Sequence, residues 1–262
     1  MINCNLCGST DSTPLYKGNV KCANCGLIFI APVPINLQDF YKDDYYSFST
    51  EPLQLEWLQI FLYKIRIWTI FNRFLRSIKI VKGGNLLDIG CGSGAFLKLV
   101  KGLGMNVWGV EPGKFIPQEG INIFHGTLEQ ARYPDEFFDT VCLNHVLEHT
   151  DDPMATLKEC KRVLKQDGII RIAVPQTSSL AHWLLKENWP HLDYPRHLYN
   201  FSTQNLKDYT EKVGLKVKKI RYISAPSGFG VKNKFTFALL YPLSFICNRL
   251  RIGDVVEVCL EK

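Results

Sequence analysis

From Asn85 to the C-terminus the apolar positions alternate between two periods. Short continuous apolar runs of strand length are followed by stretches in which apolar residues recur every three or four positions, as strands alternating with helices do. Leu86 to Ile89 reads as a buried strand, and Ala95 to Leu103 as a helix with Phe96, Leu99, Val100 and Leu103 on its inner face. "NVWGVEP" and "INIFHGT" supply a second and a third strand, and "FFDTVCLNHV" contains a fourth. Asp152 then stands as a helix N-cap with Pro153 in the first turn, where a missing N–H costs nothing. "DGIIRIAVP" gives a turn and a fifth strand, and "LKVKKIRYIS" and "DVVEVCLEK" close the sheet as a final pair. The pattern predicts an α/β fold, a doubly wound Rossmann-like sheet of seven strands spanning residues 85–262.

The first third of the chain reads differently. "APVPINLQDF" is a Pro-punctuated linker, and residues 53–82 are apolar at helical spacing with Lys64, Arg66, Arg73, Arg76 and Lys79 interleaved, until Gly83 and Gly84 end the helix. Residues 35–84 are therefore a linker and helical lid segment. Its helices are expected to pack on the main domain with their basic side chains snorkelling to water; a substrate lid and a membrane-surface contact stay open. Residues 1–34 carry two knuckles, Cys4-x-x-Cys7-Gly8 and Cys22-x-x-Cys25-Gly26, about fourteen residues apart. Each Cys-x-x-Cys turn brings two thiolates to one side at a separation a tetrahedral zinc accepts, and each glycine lets backbone N–H groups point at the sulfurs. Cys4, Cys7, Cys22 and Cys25 read as a structural zinc ribbon, closed to a reacting water. So short a lobe has almost no core without its metal.

Composition sets the bounds. The 262 residues are 46% apolar, 21% charged and 12% aromatic, with a net charge of +6 and no arginine-rich tract. That suits a globular protein and gives no footprint of nucleic acid. "MINCNLCGST" lacks the layout of a signal peptide, and no apolar run reaches the about 18 residues a bilayer span needs. The expected location is cytoplasmic, where nine cysteines favour metal over disulfides. One stretch, "KFTFALLYPLSFICNRLR" at 234–251, reads either as a helix hairpin covering the pocket or as a peripheral membrane contact with Arg249 and Arg251 at the headgroups.

The chemistry begins in "LLDIGCGSGAF". Glycines 90, 92 and 94 let the backbone approach a ligand closely where a strand turns into a helix. Gly90-x-Gly92-x-x-Ala95 formally satisfies a dinucleotide fingerprint, and Glu111, about twenty residues on, suits ribose hydroxyls in either case. Asp88 breaks the tie. A carboxylate two residues before the first glycine repels a pyrophosphate and suits a ligand carrying an ammonium and a sulfonium.

Asp88-x-Gly90-x-Gly92-x-Gly94 resembles the first motif of the class I S-adenosylmethionine-dependent methyltransferases. The likeness continues through "GVEP" and "FDTVCLNHVLEHTDDP", and "VPQTSS" and "HLDYPRHLYNFS" are similar to the branch holding the ubiquinone-biosynthesis O-methyltransferases and many small-molecule and sugar methyltransferases. The resemblance implies S-adenosyl-L-methionine as cofactor. Gly90, Gly92 and Gly94 would pack against its amino acid end, Asp88 would orient that end, and Glu111 would accept both ribose hydroxyls. Thr127 and Leu128 lie where the family contacts adenine, and Asn144 borders the methionine part.

Transfer to a hydroxyl also needs a base, and histidine is the natural one near neutral pH. His197, in the segment where the family builds its acceptor pocket, is the first candidate, and His145 the second. His145, Glu148 and His149 stand at i, i+3 and i+4, a spacing that one helical turn brings to one side and that can hold a divalent metal. The ubiquinone O-methyltransferases carry Glu at the first of these places, so His145 is a departure. Asn-Pro-Pro-Tyr, which amide and adenine N-methyltransferases of the class carry, is replaced by "LNHVLEH", and no Pro-Cys pair supplies a nucleophile. Cys91 and Cys142 read as packing residues. The expected activity is O-methylation of a small-molecule, sugar or lipid-linked acceptor, without nucleic acid as partner. Three alternatives stay open: a zinc-ribbon RNA methyltransferase, a docking module on an inactive fold, and a nicotinamide-dependent oxidoreductase.

Overall fold

The computed structural model describes residues 3–33, 75, 77–113, 119–224, 226–230 and 234–262. The main sheet has seven strands: β4 (Asn85–Ile89), β5 (Asn106–Glu111), β6 (Asn122–His125), β7 (Phe138–Asn144), β8 (Leu164–Pro175), β10 (Lys216–Ile223) and β11 (Val255–Glu261). Their order across the sheet is β10-β11-β8-β7-β4-β5-β6. The five from β8 to β6 run parallel, and β10 and β11 are antiparallel additions at one edge. The doubly wound seven-stranded expectation holds, including the final pair. Chain order reverses at β4, whose neighbours are β5 on one side and β7 on the other. In an open α/β sheet a crevice forms at that point, outside the carboxyl ends of the strands. Leu86 and Leu87 in β4 and Val141 to Leu143 in β7 are fully buried, because both faces of these central strands are covered.

The helix after β4, α1 (Ala95–Lys101), is shorter than its apolar pattern indicates and turns a different face inward. Leu97 and Val100 are fully buried, whereas Leu99 and Leu103 are exposed. The helix enters from Gly94 in the left-handed conformation and ends at Gly102. It has room for about two turns, so one short i, i+3 pair meets the sheet and the longer stripe has nothing to pack on. A short helix not expected from the sequence, α2 (Leu128–Ala131), is capped by Thr127, and α3 (Pro153–Val163) takes its expected start at Asp152, whose side chain accepts the Ala155 N–H. The segment 234–251 forms one continuous helix, α6 (Lys234–Arg249), running through Pro242 rather than folding into a hairpin. None of the described helices is long and apolar enough to cross a membrane. The helices expected across 53–82, with Lys64, Arg66, Arg73 and Arg76, lie almost entirely outside the described residues; beyond them, Lys79 donates to the Asp167 carbonyl.

The N-terminal lobe is built into the main domain. Its three short strands, β1 (Ser12–Pro14), β2 (Asn19–Cys22) and β3 (Ile28–Ile30), form an antiparallel sheet whose fourth strand, β9 (Tyr199–Asn200), comes from the far end of the sequence. Leu6, Leu27 and Phe29 of the lobe share one buried cluster with Leu157, Phe201 and Tyr209. Polar ties surround that cluster. Asn5 bridges Asp152 and the Tyr209 hydroxyl, each at 2.9 Å, and Asn205, in α5 (Thr203–Val213), donates to the Cys25 carbonyl at 2.8 Å. A lobe too small to bury itself thus completes its core against α3 and α5.

Candidate active site

The crevice at the switch point is floored by the turn after β4. Gly90, Gly92 and Gly94 all have positive φ, at 66°, 53° and 81°. A Cβ at Gly90 would lie 2.4 Å from Val146 Cγ2, and one at Gly94 would crowd Ile123. A Cβ at Gly92 would meet nothing within 4 Å, so this glycine opens onto space. Gly90 and Gly94 are required by packing as well as by their backbone, and Gly92 by its left-handed backbone alone.

Two buried acids flank the turn. Glu111, at the end of β5, accepts the Gly92 N–H at Oε2 (2.9 Å) and the Gly113 N–H at Oε1 (2.7 Å). Asp88, in β4, is 4% exposed, and its Oδ1 has no hydrogen-bond partner. Burial pushes the Asp88 carboxyl up to about 7; the Arg171 charge opposes the rise and Glu111 adds to it. An acid left buried without a partner is costly unless something arrives to pair with it.

The remaining candidates divide. Thr127 caps α2 and forms a capping box with Gln130, while the Leu128 side chain is buried in the core beside Ile89 and Val110. Asn144, the last residue of β7, accepts a hydrogen bond at Oδ1 from Arg171, which is itself paired with Glu257 of β11. Sequence reasoning passed over Arg171 and Glu257. The signal was present, since a charged residue inside an apolar strand ("IIRIAVP", "VVEVCL") marks a buried ion pair.

The histidines do not assemble as their spacing suggested. His145 sits in the left-handed region at φ 53°, and Leu147–His149 form a single 3-10 turn. No α-helical turn therefore aligns His145, Glu148 and His149. His145 Nδ1 stays 3.3 Å from Glu148 Oε1, with its side chain half exposed. The buried grouping is instead Glu148, His149 and His197, whose ligand-type atoms lie within 4.8 Å of one another. The two imidazoles stack edge to face at 4.6 Å. His149 Nδ1 bonds the Arg196 carbonyl (3.0 Å), and His197 Nδ1 bonds the His191 carbonyl (2.8 Å). Burial brings His197 down to about 4, against the raising effect of Glu148, so it is neutral near physiological pH. Burial also pushes Glu148 up, but the His145 contact and the surrounding imidazoles outweigh it and hold it below the usual range. Neither Glu148 oxygen makes a hydrogen bond of good geometry.

This cluster is tied to the N-terminal lobe through one residue. Leu198 donates its N–H to the Glu148 carbonyl at 2.8 Å and accepts the Ile30 N–H of β3 at 3.0 Å. In the lobe itself, the four cysteine sulfurs lie within 4.8 Å of one another, with Cys4–Cys25 and Cys7–Cys22 at 3.5 Å. The glycine N–H groups close the knuckles onto the Cys4 and Cys22 carbonyls. The N–H groups that reach the Cys7 and Cys25 sulfurs belong to Ser9 and Leu27, each the residue just after the knuckle's glycine.

The family described as "Methyltransferase domain" matches residues 64–220, more than half of the chain. A ubiquinone biosynthesis O-methyltransferase of Roseobacter denitrificans is 28% identical over 196 residues, which covers 66% of this chain and 79% of that protein. Its counterpart in Dinoroseobacter shibae is 34% identical over 110 residues, covering 38% of this chain and 44% of that one. A solved SAM-dependent methyltransferase from Archaeoglobus fulgidus has the same fold, with a TM-score of 0.56 and 23% identity over 79% of this chain and 100% of that one. With the glycine turn, the paired acids and the sheet order already in place, the chain belongs to the methyltransferase-domain family, among the class I S-adenosylmethionine-dependent methyltransferases.

Proposed function

We propose that the protein methylates a hydroxyl oxygen of a small-molecule, sugar or lipid-linked acceptor. The observation that carries the reading is the buried Asp88 Oδ1, without a hydrogen-bond partner, beside a glycine turn that opens onto space. The relatives named as ubiquinone biosynthesis O-methyltransferases favour oxygen as the methylated atom. The residues fit S-adenosylmethionine: Asp88 offers its free oxygen to the ammonium, and Gly90, Gly92 and Gly94 let the backbone approach the amino acid end. Glu111 spends one lone pair per oxygen on backbone amides and keeps others for the ribose hydroxyls. Thr127 and Leu128 border the adenine through the backbone at the start of α2, since their side chains serve the cap and the core. Asn144, oriented by Arg171, borders the methionine part. Bound there, the cofactor supplies a methyl group on a positively charged sulfur, already activated for displacement.

The chain then has to place the acceptor and take its proton. His197 is assigned that role. Its Nδ1–H is held by the His191 carbonyl, which leaves Nε2 as the proton acceptor. Glu148, buried and short of partners, and Asp193, 3.7 Å from Nε2, stabilise the imidazolium that forms. His145, half exposed at the end of β7, is the second candidate. In the lobe, Cys4, Cys7, Cys22 and Cys25 hold a structural zinc. In support, their sulfur separations are close to the about 3.8 Å edge of a tetrahedron with Zn–S bonds near 2.3 Å. Burial pushes the Cys7 thiol up, but the Ser9 N–H, Asn24 and the neighbouring thiols outweigh it and hold it at about 6, so a thiolate is at hand.

Each assigned role has an expected outcome. Asp88→Asn weakens cofactor binding by about tenfold to a hundredfold, the worth of a charged hydrogen bond. In the unsubstituted protein the affinity rises from about pH 6 to about pH 8, because only ionised Asp88 attracts a cation; in the variant calorimetry finds it flat. Since Asp88 titrates higher folded than unfolded, the free protein loses stability as pH climbs from about 4 to about 7. Asp88→Asn restores on the order of 2 kcal/mol of that at high pH by denaturant titration. His197→Ala keeps cofactor affinity and slows turnover by about a hundredfold or more; unchanged turnover removes it from the mechanism. Elemental analysis finds one zinc per chain, and Cys25→Ser loses it and lowers the melting temperature of the whole chain, because lobe and main domain share a core.

A further inference from the structure

Phe245 (73% exposed), Trp183 (71%) and Leu250 (61%) are the three most exposed large apolar side chains among the described residues. Leu184 and Ile246, each more than half exposed, lie beside them in sequence. All five belong to α4 (Leu180–Leu185) or to α6 and the residue after it. These elements meet, because the Leu180 N–H that begins α4 donates to the Ile252 carbonyl just beyond α6, at 3.0 Å. Trp183 lies one helical turn from that bond, and Leu250 two residues from it.

Each helix is anchored by its other side. Ser244 and Cys247 of α6 are buried, as is Ala181 of α4. On α6, Phe245 and Arg249 share a face at i, i+4, as do Ile246 and Leu250. The exposed apolar residues are therefore a built outer surface and not the edge of a frayed core. Arg249, Arg251 and Lys186 are exposed around them, against one exposed acid, Glu187. Neither Arg249 nor Arg251 enters an ion pair among the described residues.

We propose that this face docks on an anionic lipid bilayer. Aromatic and aliphatic side chains standing out of a short helical platform, rimmed by arginines, match the acyl boundary and the headgroup layer respectively. A second copy of the chain fits less well. A two-fold pairing of this face would bring two patches of the same positive sign together, which like-charge repulsion opposes. The bilayer supplies the missing countercharge. The surface lies beside the candidate acceptor side of the site, since Ala181 of α4 packs with Trp189 and Leu192 in the loop that leads to His197. The proposal goes beyond the assignment of the methylated atom and holds whether or not an oxygen is the acceptor.

The test is co-sedimentation of the full chain with vesicles, without cofactor or acceptor. The protein is expected to bind phosphatidylcholine vesicles containing phosphatidylglycerol, and to bind more weakly as salt rises. Trp183→Ser with Phe245→Ser lowers the affinity by about tenfold or more. Arg249→Gln with Arg251→Gln removes the preference for phosphatidylglycerol, about fivefold per charge. All four side chains are exposed, so circular dichroism and melting temperature stay as in the unsubstituted chain. Absence of binding to phosphatidylglycerol vesicles at low salt overturns the proposal, as does equal binding by the apolar double variant. A dimer in sedimentation velocity that the same variants dissociate assigns the face to a second copy and likewise overturns it.

Discussion

A buried carboxylate oxygen without a hydrogen-bond partner is the constraint around which the rest of this account is arranged. Asp88 stands in β4, next to the middle strand of the main sheet, where both faces are covered and no water reaches Oδ1. Removing an acid from water this way is expensive, and the chain does not neutralise it locally. Arg171 acts from a strand two places away and is already paired with Glu257. The cofactor role proposed for Asp88 rests on Oδ1, which stands beside a turn whose middle glycine opens onto space, with a second buried acid, Glu111, on the same turn. A diphosphate would face both acids in a site of low dielectric.

The second organising contact is the two-residue pairing of β3 with β9. Because it crosses from the cysteine lobe to the segment before α5, the lobe is part of the wall that holds His197. Leu198 is the junction: its carbonyl takes the Ile30 N–H and its own N–H goes to Glu148. Tyr16, also from the lobe, hydrogen-bonds His182 of α4. The four-cysteine cluster of the lobe, the His149–His197 pair and α4 are thereby linked through a few hydrogen bonds and one shared core.

Much of this was legible in the sequence, for reasons that can be named. Strand–helix alternation from Asn85 onward reports burial directly for the five inner strands, and the two edge strands, β6 and β10, appear where expected although none of their residues is buried. The glycine turn and the N-cap at Asp152 depend on local backbone needs that one or two residue types satisfy. What sequence reading missed depends on contacts distant along the chain. Periodicity put Leu99 and Val100 on the inner face of α1; Val100 is buried there, but Leu97 is buried with it and Leu99 is exposed. Spacing grouped His145 with Glu148 and His149, yet a backbone in the left-handed region at His145 broke the turn, and His197 joined the acid instead. The pairing of β3 with β9 involves too few residues to leave a pattern, and the outward placement of Trp183 follows only from how α4 docks.

Carbon-detected NMR of the labelled protein follows the decisive group, the Asp88 carboxyl, directly. The Asp88 carboxyl is predicted to titrate near 7 in the free protein and to fall below about 5 when S-adenosylmethionine is bound, as an ammonium settles against it. A midpoint that does not move on saturation with the cofactor, or that rises, would contradict the role assigned to Asp88.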